Sequence, residues 1–125
     1  MLDTNVAIHL RDRDLTIMRK VAALDEAAMI SIVTRVELEG GVHIEPRNAA
    51  IRRARVDALL ETLPTVEFDN EAADAYGAIL QAVGFSRRKV LDRMIASQAI
   101  VHRARLVTLN AVDFADVPGL ELIAW

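Results

Sequence analysis

The chain has no cysteine. That excludes a disulfide framework, a thiolate metal site and a cysteine nucleophile together. With three prolines and five glycines in 125 residues, little interrupts helical stretches. No run approaches the ~18 uninterrupted apolar residues of a membrane-spanning helix. No basic start followed by an apolar stretch and a small-residue cleavage site marks a secretory leader. The expectation is a cytoplasmic chain with no membrane segment. Positive charge is not in excess either, since the formal net charge is −3. That argues against nucleic-acid binding by bulk charge alone.

What is present suffices for one domain, residues 1–125, with a sizeable core, because 53% of the residues are hydrophobic. Thirteen of the 15 basic residues are arginine, the better fork for phosphate. They gather as Arg52, Arg53 and Arg55, and as Arg87, Arg88, Lys89 and Arg93. Solvated helix faces in an arginine-biased composition explain such groups equally well.

Strand and helix signals alternate along the chain. Met1–Asp3 reads as the end of a short strand. Val6 to about Leu24 is helical with a break near Arg11–Asp14. The continuous apolar run Ala28–Val33 reads as a strand covered on both faces. Thr34 then opens a short helix that stops at Gly40-Gly41, and Pro46 suits a first helical turn. A stripe of Val56, Leu59, Leu60 and Leu63 runs up to Pro64, and Thr65–Phe68 is a short strand. Asp69 caps a helix that Gly84 ends, and another helix spans about Lys89 to Ala104. Leu106–Leu109 is a strand, Ala111–Phe114 a single turn and Leu120–Trp125 a last strand. The alternation predicts an α/β/α sandwich around a central parallel sheet, whose sites gather at the carboxyl ends of the strands.

Three acids fall just beyond such ends: Asp3, Glu37 and Asp113. A fourth, Asp92, heads the otherwise apolar helical stripe Ile95, Ala96, Ala99 and Ile100. A buried carboxylate there costs several kcal/mol unless something compensates it, and the helix dipole offers only ~0.3–1 kcal/mol. Each acid also has a purely structural reading. Asp3 caps the following helix, Thr34-x-x-Glu37 forms a capping box, Asn110-x-x-Asp113 forms a shorter one, and Asp92 pairs with Arg88. All four must hold together for the group to be incidental. Four carboxylates without cysteine, and with His9, His43 and His102 at the surface or at helix ends, describe a hard oxygen site suited to Mg²⁺ or Mn²⁺ rather than zinc.

The stretches L-D-T-N-V at 2–6, S-I-V-T-R-V-E-L-E-G at 31–40, D-R-M-I-A-S-Q-A at 92–99, L-V-T-L-N-A-V-D-F at 106–114 and the ending V-P-G-L-E-L-I-A-W resemble PIN-domain ribonucleases, specifically VapC-type toxins. The resemblance covers nearly the whole chain. It implies a PIN-like α/β fold and Mg²⁺- or Mn²⁺-dependent endonucleolytic cleavage of RNA. It implies an acidic quartet at Asp3, Glu37, Asp92 and Asp113, with Thr4, Thr108 and Asn110 flanking and orienting it. The partners implied are an RNA substrate, a second copy in a homodimer and a cognate VapB-type antitoxin. Such an antitoxin commonly pushes an arginine or a blocking segment into the acidic pocket. Two departures stand out. Only Met1 and Leu2 precede Asp3, so either the start was placed late or the first strand is truncated, which would weaken the anchoring of Asp3. The approach to Asp92, V-G-F-S-R-R-K-V-L, carries a dense basic cluster in which Arg87, Arg88 and Lys89 are candidate RNA contacts.

The chemistry agrees with this resemblance. Phosphodiester cleavage needs an activated water and neutralisation of charge on the phosphate, which a bound divalent ion supplies. Asp3 and Asp92 are the expected ligands. Asp113 would complete the cage or hold a second ion, and Glu37 would orient the attacking water. The competing readings are a DNA-directed metal-dependent nuclease and a non-catalytic RNA- or protein-binding module.

Overall fold

The computed structural model describes residues 1–125. Six helices and four short strands follow one another as α1 (Thr4–Arg11), α2 (Leu15–Ala22), β1 (Ile30–Ser31), α3 (Ile32–His43), α4 (Ala49–Thr62), β2 (Thr65–Val66), α5 (Asn70–Val83), α6 (Val90–Val101), β3 (Leu106–Thr108) and β4 (Leu122–Ala124). Single 3-10 turns lie at Pro46–Asn48, Arg87–Lys89 and Ala111–Phe114. All pairings are parallel, β1 with β2 and β3 with β4. Leu2 bridges Ile30 on one side and Val107 on the other, so the order across the sheet is β2, β1, Leu2, β3, β4.

The first residues are therefore central. The Leu2 amide donates to the Met29 carbonyl at 2.8 Å, the Asp3 amide to Val107 at 2.9 Å, and the Val107 amide to Met1 at 2.9 Å. The terminal ammonium donates to the Arg105 carbonyl at 2.7 Å. Two residues before Asp3 are enough to anchor it, contrary to the expected weakness. The reason is that both neighbouring strands supply backbone partners.

Alternation along the strands divides the core into two. Leu2, Ile30 and Val107 point to one face, where they pack with Val6, Ala7, Leu38, Val42 and Val56 from α1, α3 and α4. Met1 and Leu106 point to the other, against Ile79 of α5 and Ile95, Ala96 and Ala99 of α6. This is the expected sandwich, built from the period-two pattern of a strand meeting the helical stripes on each side.

Several boundaries differ from the sequence reading. The apolar run 28–33 is split: Ile30 and Ser31 form the strand, and α3 begins at Ile32. Ser31 is the cap, its hydroxyl accepting from the Val33 amide at 2.8 Å. A short apolar run does not distinguish a buried strand from the first turn of a buried helix. Nor does α3 stop at Gly40-Gly41; it continues to His43. Glycine inside a helix costs only ~1 kcal/mol, and at position 41 it also makes room. A Cβ on Gly41 would stand 3.0 Å from Nη1 of Arg11. The helix expected to reach Ala104 ends at Val101, and the strands at 65, 106 and 120 are each shorter than expected.

Leu2 is fully buried at the middle of the sheet. Replacing it with alanine should cost about 2–5 kcal/mol. Urea denaturation measures this directly. A loss below about 1 kcal/mol would mean that the centre of the sheet lies elsewhere.

Candidate active site

Asp3 ends the central strand and caps α1. Its carboxylate accepts from the Thr4 amide at 2.8 Å through one oxygen and from the Thr108 hydroxyl at 2.7 Å through the other. Only 4% of the residue is exposed. The capping reading of Asp3 is thus correct but incomplete, because a plain cap sits at the surface. Burial raises the Asp3 carboxyl above its ordinary range. The hydrogen bonds from Thr108 and Thr4 work against that rise, and the charges of Glu37 and Asp113 add to it.

Glu37 projects from the second turn of α3. Because α3 starts at Ile32 and Ser31 is its cap, Glu37 has no capping-box duty. Its carboxylate accepts from the Thr4 hydroxyl, and that hydroxyl lies 3.0 Å from the hydroxyl of buried Thr34. Asp113 lies in the 3-10 turn after β3. Asn110 makes no side-chain cap there; its amide donates instead to the Asp113 carboxylate. Thr108 serves this loop as well, its hydroxyl accepting from the Asn110 amide at 3.0 Å.

Asp92 occupies the first turn of α6, half-buried. The proposed pairing with Arg88 does not form, and no arginine or lysine lies within ion-pair distance of any of the four acids. Burial raises the Asp92 carboxyl, the charges of Asp3 and Asp113 raise it further, and Lys89 offsets part of the rise. Asp92 and Asp113 face a cleft of about 190 Å³ together with Ser86, Arg88 and Lys89.

The fold thus brings the four acids into one electrostatic neighbourhood with Asp3 at its hub. It does not draw them into a closed cage: no three acidic or histidine side chains converge closely enough to hold an ion among them. Glu37 is turned towards Thr4 and Asp113 towards Asn110, as expected for carboxylates that repel one another. The donor set nevertheless suits a hard divalent ion. Every donor is oxygen, no cation is paired with the acids, and an ion of the Mg²⁺ type keeps several waters and needs only one or two carboxylates. The three histidines are exposed and take no part.

The basic groups behave unequally. Arg53 is bound to Glu39 and Asp57, and Arg52 donates to the Gly41 carbonyl, so that group is largely committed within the fold. Arg93 is buried, donating to the Gly84 carbonyl at 2.6 Å and to Asp116 at 3.1 Å, a structural role the sequence reading missed. Lys89 also reaches Asp116, at 3.1 Å. Arg87 and Arg88 are exposed and make no ion pair. Two more polar residues have roles the sequence reading did not give them, Gln98 and Thr34, the latter read there as a helix cap. Gln98, fully buried, accepts from Ser31 and donates to the carbonyls of Val66 at 3.0 Å and Glu67 at 2.9 Å, closing the end of β2. Thr34 shares the Thr4 hydroxyl. Only its place one helical turn before Glu37 could have signalled it. An apolar groove of about 340 Å³ between α2 and α4 contains none of the acids.

The PIN domain family model matches residues 1–120. The chain is 27% identical to Ribonuclease VapC2 of Rickettsia felis, covering 100% of this chain and 96% of that protein. It is 30% identical to the tRNA(fMet)-specific endonuclease VapC of Shigella flexneri, again over 100% and 96%. Among solved structures, VapBC2 from Rickettsia felis bound to a DNA fragment from its promoter superposes with a TM-score of 0.89 at 27% identity, covering 100% of this chain and 97% of that one. The chain belongs to the PIN domain family, among its VapC ribonucleases.

Proposed function

We propose that this chain is a divalent-metal-dependent endoribonuclease and the toxin of a toxin–antitoxin pair, with residues 1–125 working as one PIN-like unit. The observation that carries the site assignment is Asp3. It is a buried carboxylate at the carboxyl end of the central strand, held by neutral donors, in the field of three other acids and beside no cation. A fold has little reason to assemble such a group unless a cation completes it.

Asp3 and Asp92 are the groups we assign as direct or water-mediated ligands, with Asp113 as a third ligand or the holder of a second ion. Mg²⁺ is the preferred ion and Mn²⁺ the substitute. When bound, such an ion acidifies a water and neutralises charge on the phosphate. The protein's own part is to fix the acids. Thr108 holds one oxygen of Asp3 so that the carboxylate keeps a single orientation. Thr4 holds Glu37, which we assign to orient the attacking water and accept its proton. Asn110 holds Asp113 at the rim. Arg87, Arg88 and Lys89 are assigned to phosphates of the RNA.

The antitoxin assignment is supported by the solved relative, which is a VapBC complex, and we propose a VapB-type protein as this chain's inhibitor. A homodimer and a cytoplasmic site of action are part of the same reading. No helix is long and apolar enough to cross a membrane.

Asp92→Asn should lower metal-dependent cleavage of total RNA beyond the ~100-fold that even outer-shell partners of a metal typically cost. Cleavage at the parent rate would remove Asp92 from the site. Thr108→Val should cost about 10- to 100-fold, because Asp3 loses the hydroxyl that orients it. Measured Mg²⁺ affinity should fall with it.

The raised Asp3 and Asp92 carboxyls carry a further consequence. A carboxyl whose folded-state pKa is raised contributes stability that is complete below the unfolded pKa of ~3.9 and lost as pH rises through the folded value. In EDTA, Asp92→Asn should therefore melt close to the parent at low pH and above it at neutral pH. Mg²⁺ should then stabilise the parent more than the variant. Thermal scans across that range test this. A variant that melts below the parent at neutral pH in EDTA contradicts the electrostatic account.

A further inference from the structure

Phe85 is 71% exposed, although it is one of only three phenylalanines in the chain. It stands between Gly84 and Ser86, and Ser86 lines the cleft of Asp92 and Asp113. The other exposed apolar residues of this region are Leu91 and Val112, each the chain neighbour of one of those two acids. Phe85, Leu91 and Val112 thus leave apolar surface exposed at positions adjacent in the chain to residues of the acidic cleft, surface that an occupant of the cleft can cover.

The backbone that presents Phe85 is fixed. Gly84 takes a left-handed φ of 77°, which a side-chain-bearing residue there would strain. Its carbonyl is held by buried Arg93, and Arg93 also grips Asp116, which holds Lys89. This bracket immobilises both ends of the segment 84–89 while leaving Phe85, Arg87 and Arg88 unengaged. An exposed, preorganised aromatic ring beside free guanidinium groups is the arrangement that binds single-stranded nucleic acid. The ring stacks on a base and the cations take the phosphates.

We propose that Phe85 is a stacking platform for an RNA base beside the scissile phosphate, with Arg88 holding a flanking phosphate, so that the site takes single-stranded RNA. This rests on the endoribonuclease reading above. The charges favour RNA over a protein partner. A protein surface covering this patch would have to bury Arg87 and Arg88 against acids of its own, and the apolar contribution of three scattered side chains is small beside a stable protein interface. Stacking tolerates many bases, so Phe85 positions the strand without fixing its sequence. Rigid attachment through Gly84 and Arg93 sets where the strand enters relative to Asp92.

The test measures binding of a fluorescein-labelled, mixed-sequence, single-stranded 12-mer RNA in Mg²⁺. Asp92→Asn is the common background, so that the probe survives. Adding Phe85→Ala should weaken binding about 5- to 100-fold, while adding Phe85→Trp should preserve it. In the Phe85→Trp protein the added indole fluorescence, taken as the difference from the background protein, should be quenched by the 12-mer. The background affinity in Phe85→Ala, or an unquenched indole with binding intact, overturns the platform. So does a shift in sedimentation of the free Phe85→Ala chain with RNA affinity unchanged, which would make Phe85 a protein contact. The two readings separate in a parallel assay on the chain with Asp92 intact. If that chain cuts no RNA with Mg²⁺ or Mn²⁺, the endoribonuclease reading falls and the platform with it. If it cuts and Phe85→Ala binds as the background does, only the platform falls.

Discussion

The geometry of the site depends on two residues of strand pressed between two others. Leu2 receives backbone partners from both sides, and Asp3 follows with its amide on Val107 and its carboxylate on Thr108. Main chain and side chain of Asp3 are therefore positioned by the same strand, β3. That strand is secured in turn by β4, where the amide of Trp125 donates to the Thr108 carbonyl at 2.9 Å. The last residue of the chain thus braces the strand that places the third. A parallel sheet makes this possible, because all carboxyl ends emerge on one edge and loops from distant parts of the sequence meet there.

At that edge the choice of neighbours is consistent. Each of three acids is held by a neutral donor from its own vicinity: Asp3 by Thr108, Glu37 by Thr4, Asp113 by Asn110. An arginine in any of these places would satisfy the carboxylate equally well and would also neutralise it, lowering its pKa and its attraction for a metal. A hydroxyl or amide orients without neutralising. Two of the nearby cations are engaged elsewhere, Arg93 and Lys89 by Asp116, while exposed Arg88 lines the cleft without pairing with an acid. No ion pair compensates the field of the acids, Lys89 offsets only part of it at Asp92, and burial and mutual repulsion raise the carboxyls of Asp3 and Asp92.

Much of this was legible in the sequence. The four acids stood out because each followed a strand signal or headed an apolar helical stripe, and the layered architecture followed from the alternation of periods. The supporting Thr4, Thr108 and Asn110 were identified by family likeness; Thr108 and Asn110 each bond one acid, and Thr4 bonds two, Asp3 and Glu37. What was not legible has physical causes. The start of α3 was hidden because Ile30, Ile32 and Val33 are apolar whether strand or helix, and only the hydroxyl of Ser31 marks the turn. Arg93 looked like one more member of a basic run. Its burial follows from α6 packing against α5, information that no local window contains. Gln98 read as an ordinary helix residue, yet it closes the open carbonyls of β2, which belong to a segment 31 and 32 residues away. Polar residues serving another element's backbone leave no periodic signature.

An acidic cluster that repels itself must be supported by the rest of the fold. Here the support is the pair of apolar layers that sandwich the sheet, one built around Leu2, Ile30 and Val107 and the other around Leu106, Ile95 and Phe114. Fully burying one such side chain contributes about 1.5–3 kcal/mol, so a few of them offset the repulsion of partly buried carboxylates. The two demands are also separated in space. The apolar layers occupy the faces of the sheet, while the acids occupy its carboxyl edge. The two meet at Leu2 and Asp3, adjacent in the chain and opposite in character. Leu2 anchors the strand through burial. That anchoring keeps Asp3 out of water and beyond ion-pair reach of any cation of the protein, so neutral donors alone hold its carboxylate, and on the proposed reading a bound metal ion completes it.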